Sequence, residues 1–339
     1  MSVPTIKDVA KLAGVSISTV SRVMNESKPV SPESRRKVLD AIKKLDFKPN
    51  ELARSLVMRK SNMIGVIVKD IGISYIAQII RGIEEIGRMY NYDILLSSTY
   101  GDIEVEHKII EFMCTKQVEG IIMISEKINP EILFKLKSKN IPFVRLDKFY
   151  EYTDEHTVSI DYKSTCNKMT NYLVDEGHKS IVFISEDVTS RIGREKLAGF
   201  NEAVAERKVK SALINAKDIT VQAGYDMGEE IFKLIKDNKS TVVFASEDSL
   251  AIGFISYCYD NGLKVPQDIS VAGFGDDIIA SIYRPALTTI EEPYYDMGAI
   301  SMRKLIKELR NEEKLKDVTI LPSRIVERGS VATFKKKNK

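Results

Sequence analysis

Residues 5–25 read TIKDVAKLAGVSISTVSRVMN. Thr5 stands before an apolar-periodic run with Asp8 three residues on, the spacing that lets a hydroxyl and a carboxylate satisfy the first N–H groups of a helix. Ile6, Val9, Ala10 and Ala13 recur at helical spacing and form one apolar face. Gly14 permits a tight turn. Ser16 then caps a second helix, Ile17 to about Asn25, with Val20 and Val23 inward. Two short helices joined through a glycine make a helix-turn-helix. Ser31-Pro32 opens a third helix, serine as cap and proline at its first position. Val38, Leu39, Ile42 and Leu45 are its expected apolar stripe. On the second helix Ile17, Ser18, Ser21 and Arg22 point away from the apolar face. A recognition helix presents such residues to base edges in the major groove. Arg22 suits guanine O6 and N7 bidentately. Ser16, Thr19 and Asn25 suit phosphates, which fix register without reading sequence. Singly, each of these residues reads as an ordinary solvated side chain; with the turn, the caps and the charge they point to DNA.

The charge supports this reading. Residues 1–60 hold 13 Lys and Arg against 6 Asp and Glu, and the remaining residues 38 against 42. The overall +3 therefore combines a basic head with a mildly acidic body, the distribution of a nucleic-acid module joined to something else. At 339 residues, 43% hydrophobic and 29% charged, the chain suits two or three globular domains and excludes a disordered or collagen-like protein. No apolar run reaches the length of a bilayer span. The opening MSVPTIKDVAKLAG lacks the apolar core of a secretory leader, so a cytoplasmic location is expected. Cys114, Cys166 and Cys258 are far apart and have no CxxC spacing, which argues against a disulfide framework and a zinc site. The basic tail 335–339 reads as a frayed end.

From Met63 the periodicity changes. MIGVIV, DILLSS, GIIMIS and PFVRLD read as strands, separated by helices at about 76–90, 104–116 and 130–137. After TVSIDY a second series begins: helices at about 165–176, 194–207, 224–236 and 250–261, with strands IVFIS, 212–215, TVVFAS and SVAGF between them. Such alternation means parallel sheets with helices on both faces. Ligands bind beyond the carboxyl ends of such strands, here near 70–75, Asp147, 188–196, 246–248 and 275–277.

The quoted stretch, followed by VSPESRRKVLDAIKKLDFKPNELARSL (30–56), resembles the N-terminal domain of the LacI/GalR repressors. The resemblance continues through RGIEEI, LVDEGHKSIVFIS, KLAGF and RPALTTIEEP. It implies an all-α helix-turn-helix domain over 1–49 and a hinge helix and linker over 50–61. It also implies a two-lobed, periplasmic-binding-protein-like α/β core over 62–334. Lobe 1 would span about 62–161 and 291–321, and lobe 2 about 162–290 and 322–334. By resemblance Thr5 joins the DNA-facing residues, and Asn50, Ala53 and Leu56 belong to the hinge, with Leu56 wedged into the minor groove. The family's effector-binding arginine corresponds to Lys196 and its effector-binding acid to Gly275, with Asp276 one residue later; Glu247 stands where Asn is common. Tyr75 and Asp147 complete this expected cleft, which would take a sugar or sugar phosphate. Lysine does not reproduce the bidentate guanidinium.

PYYDMGAISMRKLIKEL (293–309) is similar to the corresponding helix of the family's catabolite-control subgroup. There the corepressor is the phosphocarrier HPr phosphorylated on serine. That resemblance implies docking by Tyr295, Asp296, Arg303 and Lys307; arginine with a lysine four residues on suits a phosphoserine. A helix whose Met302, Leu305 and Ile306 face the core accounts for the same pattern without a partner. The expected molecule is a homodimeric DNA-binding regulator of carbon-source genes that needs no cofactor or metal. A sugar-operon repressor is the alternative. An enzyme or solute-binding protein is the other class, but the chain lacks GxxxxGK[ST], HExxH, GxSxG and a strand-linked GxGxxG.

Overall fold

The computed structural model describes residues 4–25, 29–47, 61–124, 130–146, 157–186, 188, 190–312 and 318–334. The chain divides into two compact units, Met1–Ser61 and Asn62–Lys339.

The first unit holds α1 (Ile6–Ala13), α2 (Ile17–Asn25) and α3 (Pro32–Leu45). Asp8 accepts from the Thr5 backbone N–H at 2.8 Å and from its hydroxyl at 2.7 Å. These bonds, the hydroxyl's first, hold the Asp8 carboxyl below the usual carboxylate range. Gly14 ends α1 in the left-handed region at φ 66°, where an added Cβ is strained. Val9, Ala10, Ala13, Val20, Val23, Val38 and Ala41 form the buried core, flanked by Ile6, Met24, Ile42 and Leu45. Leu39 departs from the expected stripe: it is 51% exposed. Val38 and Ala41 face α1 and α2, and Leu39 lies about 100° around the helix from Val38.

The second unit is built on parallel sheets. Six strands are ordered β11-β5-β4-β3-β1-β2: β1 (Met63–Val68), β2 (Asp93–Ser98), β3 (Gly120–Ile124), β4 (Phe143–Leu146), β5 (Thr157–Ile160) and β11 (Thr319–Leu321). The helices α4 (Ser74–Met89), α5 (Ile103–Thr115) and α6 (Pro130–Ser138) alternate with them. Four strands form the second sheet in the order β7-β6-β8-β9: β6 (Ser180–Ser185), β7 (Lys210–Asn215), β8 (Val242–Ala245) and β9 (Ser270–Ala272). Its helices are α7 (Tyr162–Asp175), α8 (Arg191–Arg207), α9 (Val221–Asp226), α10 (Gly228–Asn238), α11 (Asp248–Asp260) and α12 (Ile278–Ile282). Inner strands such as β3 and β6 are buried at every residue, as expected where helices cover both faces. The edge strands β2 and β7 are largely half-exposed or exposed.

The chain passes between lobes three times. It leaves the first sheet after β5, returns through β10 (Thr289–Glu291) into α13 (Tyr294–Leu309), then adds β11 and leaves again through β12 (Arg324–Val326). β10 and β12 pair antiparallel. α13 lies on α4, where Cβ atoms at Gly82 and Gly298 would stand 2.1 Å from the Tyr295 carbonyl and 2.0 Å from that of Ile79. The helix expected at 224–236 is two helices that break at Met227.

Candidate DNA interface and interlobe site

α2 holds the residues expected to face DNA. Ile17, Ser18 and Arg22 are exposed, Thr19 and Ser21 half-buried, while Val20 and Val23 are buried. The spacing of 17, 18, 21 and 22 places them on one helical face. Ser16 Oγ accepts from the Thr19 N–H at 3.2 Å and shares hydrogen bonds with the Ser18 and Thr19 hydroxyls at 2.8 and 2.9 Å. The cap and the phosphate candidates thus form one hydroxyl cluster. Ile17 presents an apolar side chain, 45% exposed, at the helix start. Asn50, Ala53 and Leu56 lie outside the described residues, as do the side chain of Asn25 and the tail 335–339.

In the core, the carboxyl ends of β6 and β8 bring Glu186, Ser246 and Glu247 together. Lys196 reaches them from α8. It is fully buried. Its Nζ donates to the Ser246 carbonyl at 2.8 Å and to Glu247 Oε1 at 3.0 Å, and lies 2.9 Å from Glu186 Oε1. It also sits 4.2 Å from the Phe274 ring centroid and 5.8 Å from that of Tyr162, a favourable position for a cation. Asp276, the other expected effector group, pairs with Arg328 at 2.6 Å. Tyr75 stacks on Tyr294 with centroids 5.1 Å apart. Burial, followed by the charges of Glu292 and Glu247, pushes the Tyr294 phenol well above its ordinary pKa. Asp147 lies outside the described residues.

Asp248 lies in the expected cleft segment 246–248, but its partners were not legible in the sequence. It opens α11, is 1% exposed, accepts from Thr289 Oγ1 at 2.5 Å and from the Asp277 N–H at 2.9 Å. It thereby ties the lobe 2 cleft to the crossover strand β10. Burial pushes its pKa up to about 7. Beside Glu247, an acid at this position carries no periodic signal of partners at Asp277 and Thr289.

On α13, Met302, Leu305 and Ile306 are buried, while Tyr295, Asp296, Arg303 and Lys307 are exposed. The Tyr295 hydroxyl donates to Glu85 Oε2 at 2.7 Å, and Arg81 pairs with Glu85 at 2.9 Å. These bonds, Tyr295's first, hold the Glu85 carboxyl below the usual range. A mixed-charge surface therefore spans α4 and α13.

Residues 5–50 match the family of bacterial regulatory proteins, lacI family, and residues 170–331 the periplasmic binding protein-like domain. Catabolite control protein A of Priestia megaterium is 36% identical over 329 residues, 96% of this chain and 98% of its own. The chain belongs to the LacI family. The HTH-type transcriptional regulator RegA of Clostridium saccharobutylicum is 37% identical over the same shares. Transcription regulator CcpA of Lactococcus lactis superposes with a TM-score of 0.70 at 28% identity, covering 79% of this chain and 98% of that one. A lac repressor dimer bound to operator and the anti-inducer ONPF superposes at 0.87 over 98% and 100%; at 24% identity it shows the LacI-type fold alone. This LacI-family protein is a transcriptional regulator like these relatives, and not an enzyme. Among its described residues no helix is long and apolar enough to cross a membrane, and no group of His, Cys, Asp and Glu is placed to hold a metal.

Proposed function

We propose that this regulator acts in the cytoplasm as a dimer that represses carbon-source genes from a near-palindromic operator, with a serine-phosphorylated protein as its corepressor. The observation that carries the DNA reading is the outward face of α2. Arg22 reads guanine, while Ile17, Ser18 and Ser21 meet neighbouring base edges. Thr5, Ser16, Thr19 and Asn25 hold phosphates, and the Asn50–Leu56 hinge enters the minor groove.

Exposed apolar residues support pairing of two chains. Leu96 lies on edge strand β2, and Tyr100 and Ile103 follow it; Ile278 and Ile282 share one face of α12. Covering such residues favours association. Two-fold pairing sets two heads on two half-sites.

Arg303 and Lys307 are exposed one helical turn apart beside Tyr295 and Asp296, an arrangement that suits a phosphoserine flanked by polar groups. The catabolite control protein relatives favour this corepressor over a sugar. The partners that Lys196 finds within the chain also weaken the sugar-released alternative. Sedimentation with and without operator, repeated with serine-phosphorylated HPr, tests both parts. Dimers whose operator affinity rises with the phosphoprotein are expected; monomers, or no phosphoprotein effect, would overturn the respective part.

A further inference from the structure

In the second sheet the strand order reverses between β6 and β8, and open α/β sheets receive their ligands in the crevice beyond such a reversal. Here the chain supplies a cation to that place itself. Lys196 Nζ lies among the Ser246 carbonyl, Glu247 and Glu186, under the Phe274 and Tyr162 rings. The ammonium donates two hydrogen bonds and forms an ion pair with Glu186 as well. The Phe274 and Tyr162 rings belong to an apolar cluster that also holds Phe183 and Phe244 of the second sheet. Two carboxylates beneath it are tolerated only while a cation pairs them.

We propose that Lys196 is an internal ligand: the side chain of α8 fills the cleft site of lobe 2 from within its own chain and pairs the two carboxylates there, as an alkylammonium compound would from solution. A sugar or sugar phosphate then meets an occupied site. Removing the lysine beyond Cβ converts the cleft into a receptor for a small alkylammonium ion.

The full-length Lys196→Ala protein tests this by hydrogen exchange. Peptides carrying the amides of Gly275 and Asp277, which bond the Ile290 carbonyl at 2.8 Å and Asp248 at 2.9 Å, report the cleft segment beside this site. Their exchange should rise at least about tenfold. n-Propylammonium chloride should restore protection, and sodium chloride at the same concentration should not. Unchanged exchange, or equal effects of the two salts, would overturn the proposal. Lys196→Met combined with Glu186→Gln and Glu247→Gln removes all three charges and guards against simple misfolding. It should exchange like the wild type, and fast exchange there would count against the proposal. Ribose and glucose 6-phosphate should leave wild-type exchange at these amides unchanged; protection by either would contradict an occupied site.

Discussion

A single side chain, Arg22, bears most of the proposed base reading. Its exposure on α2 leaves the guanidinium available to the major groove. Arg22→Ala should cost about 1–3 kcal/mol of operator binding and relax specificity at one base pair. Anisotropy on operators varied at each position checks this, and equal losses on all sequences would argue for a phosphate contact instead. Asp248 makes a second prediction at this scale. An acid whose native pKa exceeds its unfolded value contributes stability that is complete below the unfolded pKa and lost as pH rises through the native one. For Asp248 that window runs from 3.8 to about 7. Buried His178 has the opposite slope: its pKa is pushed down from 6.5 to about 4 by burial, so its contribution is lost as pH falls through that range. The two offset each other in the wild type, so the comparison with Asp248→Asn isolates one. Denaturant unfolding should show a larger cost of the substitution at about pH 4.5 than at about pH 7.5. The same cost at both would mean Asp248 does not titrate there. The outward face of α2 was legible because Gly14 and the serine caps leave local signatures. The partners of Lys196 and Asp248 were not, because Lys196 and Glu186 are ten positions apart and only the sheet joins them.

Among the elements, α4 and α13 show how close packing was partly hidden. Their apolar faces, Ile79, Ile83 and Ile86 on one and Met302, Leu305 and Ile306 on the other, followed from periodicity. Their backbone approach did not, since Gly82 and Gly298 carry no sign of a partner in local sequence. Gly82→Ala would set a Cβ 2.1 Å from the Tyr295 carbonyl. The helices must separate, at a cost of about 1–3 kcal/mol, seen as a lower denaturation midpoint. An unchanged midpoint would mean that α13 shifts without loss. The same pair of helices carries the proposed phosphoprotein surface. Arg303→Ala should abolish the rise in operator affinity with serine-phosphorylated HPr and leave basal operator binding intact; a full response would clear Arg303. The break at Met227, between α9 and α10, was missed because apolar spacing continues across it, while β10, β11 and β12 are three-residue strands, too short to show alternation.

At the scale of the whole molecule, the alternation of strands and helices foretold two α/β lobes, and the resemblance supplied the crossings between them. A helix-turn-helix head is joined to a core whose two sheets share one buried apolar cluster. A signal acts by binding more tightly to the DNA-competent state than to its alternative. The most direct test is fluorescence anisotropy at fixed salt on a duplex that the full-length protein selects from a random pool, against a scrambled duplex of equal length. The selected duplex should bind at least about 10³-fold more tightly, with most of that preference lost in Arg22→Ala. Equal affinity for both duplexes, falling together as salt is raised, would leave only nonspecific phosphate binding and contradict sequence-specific regulation through α2.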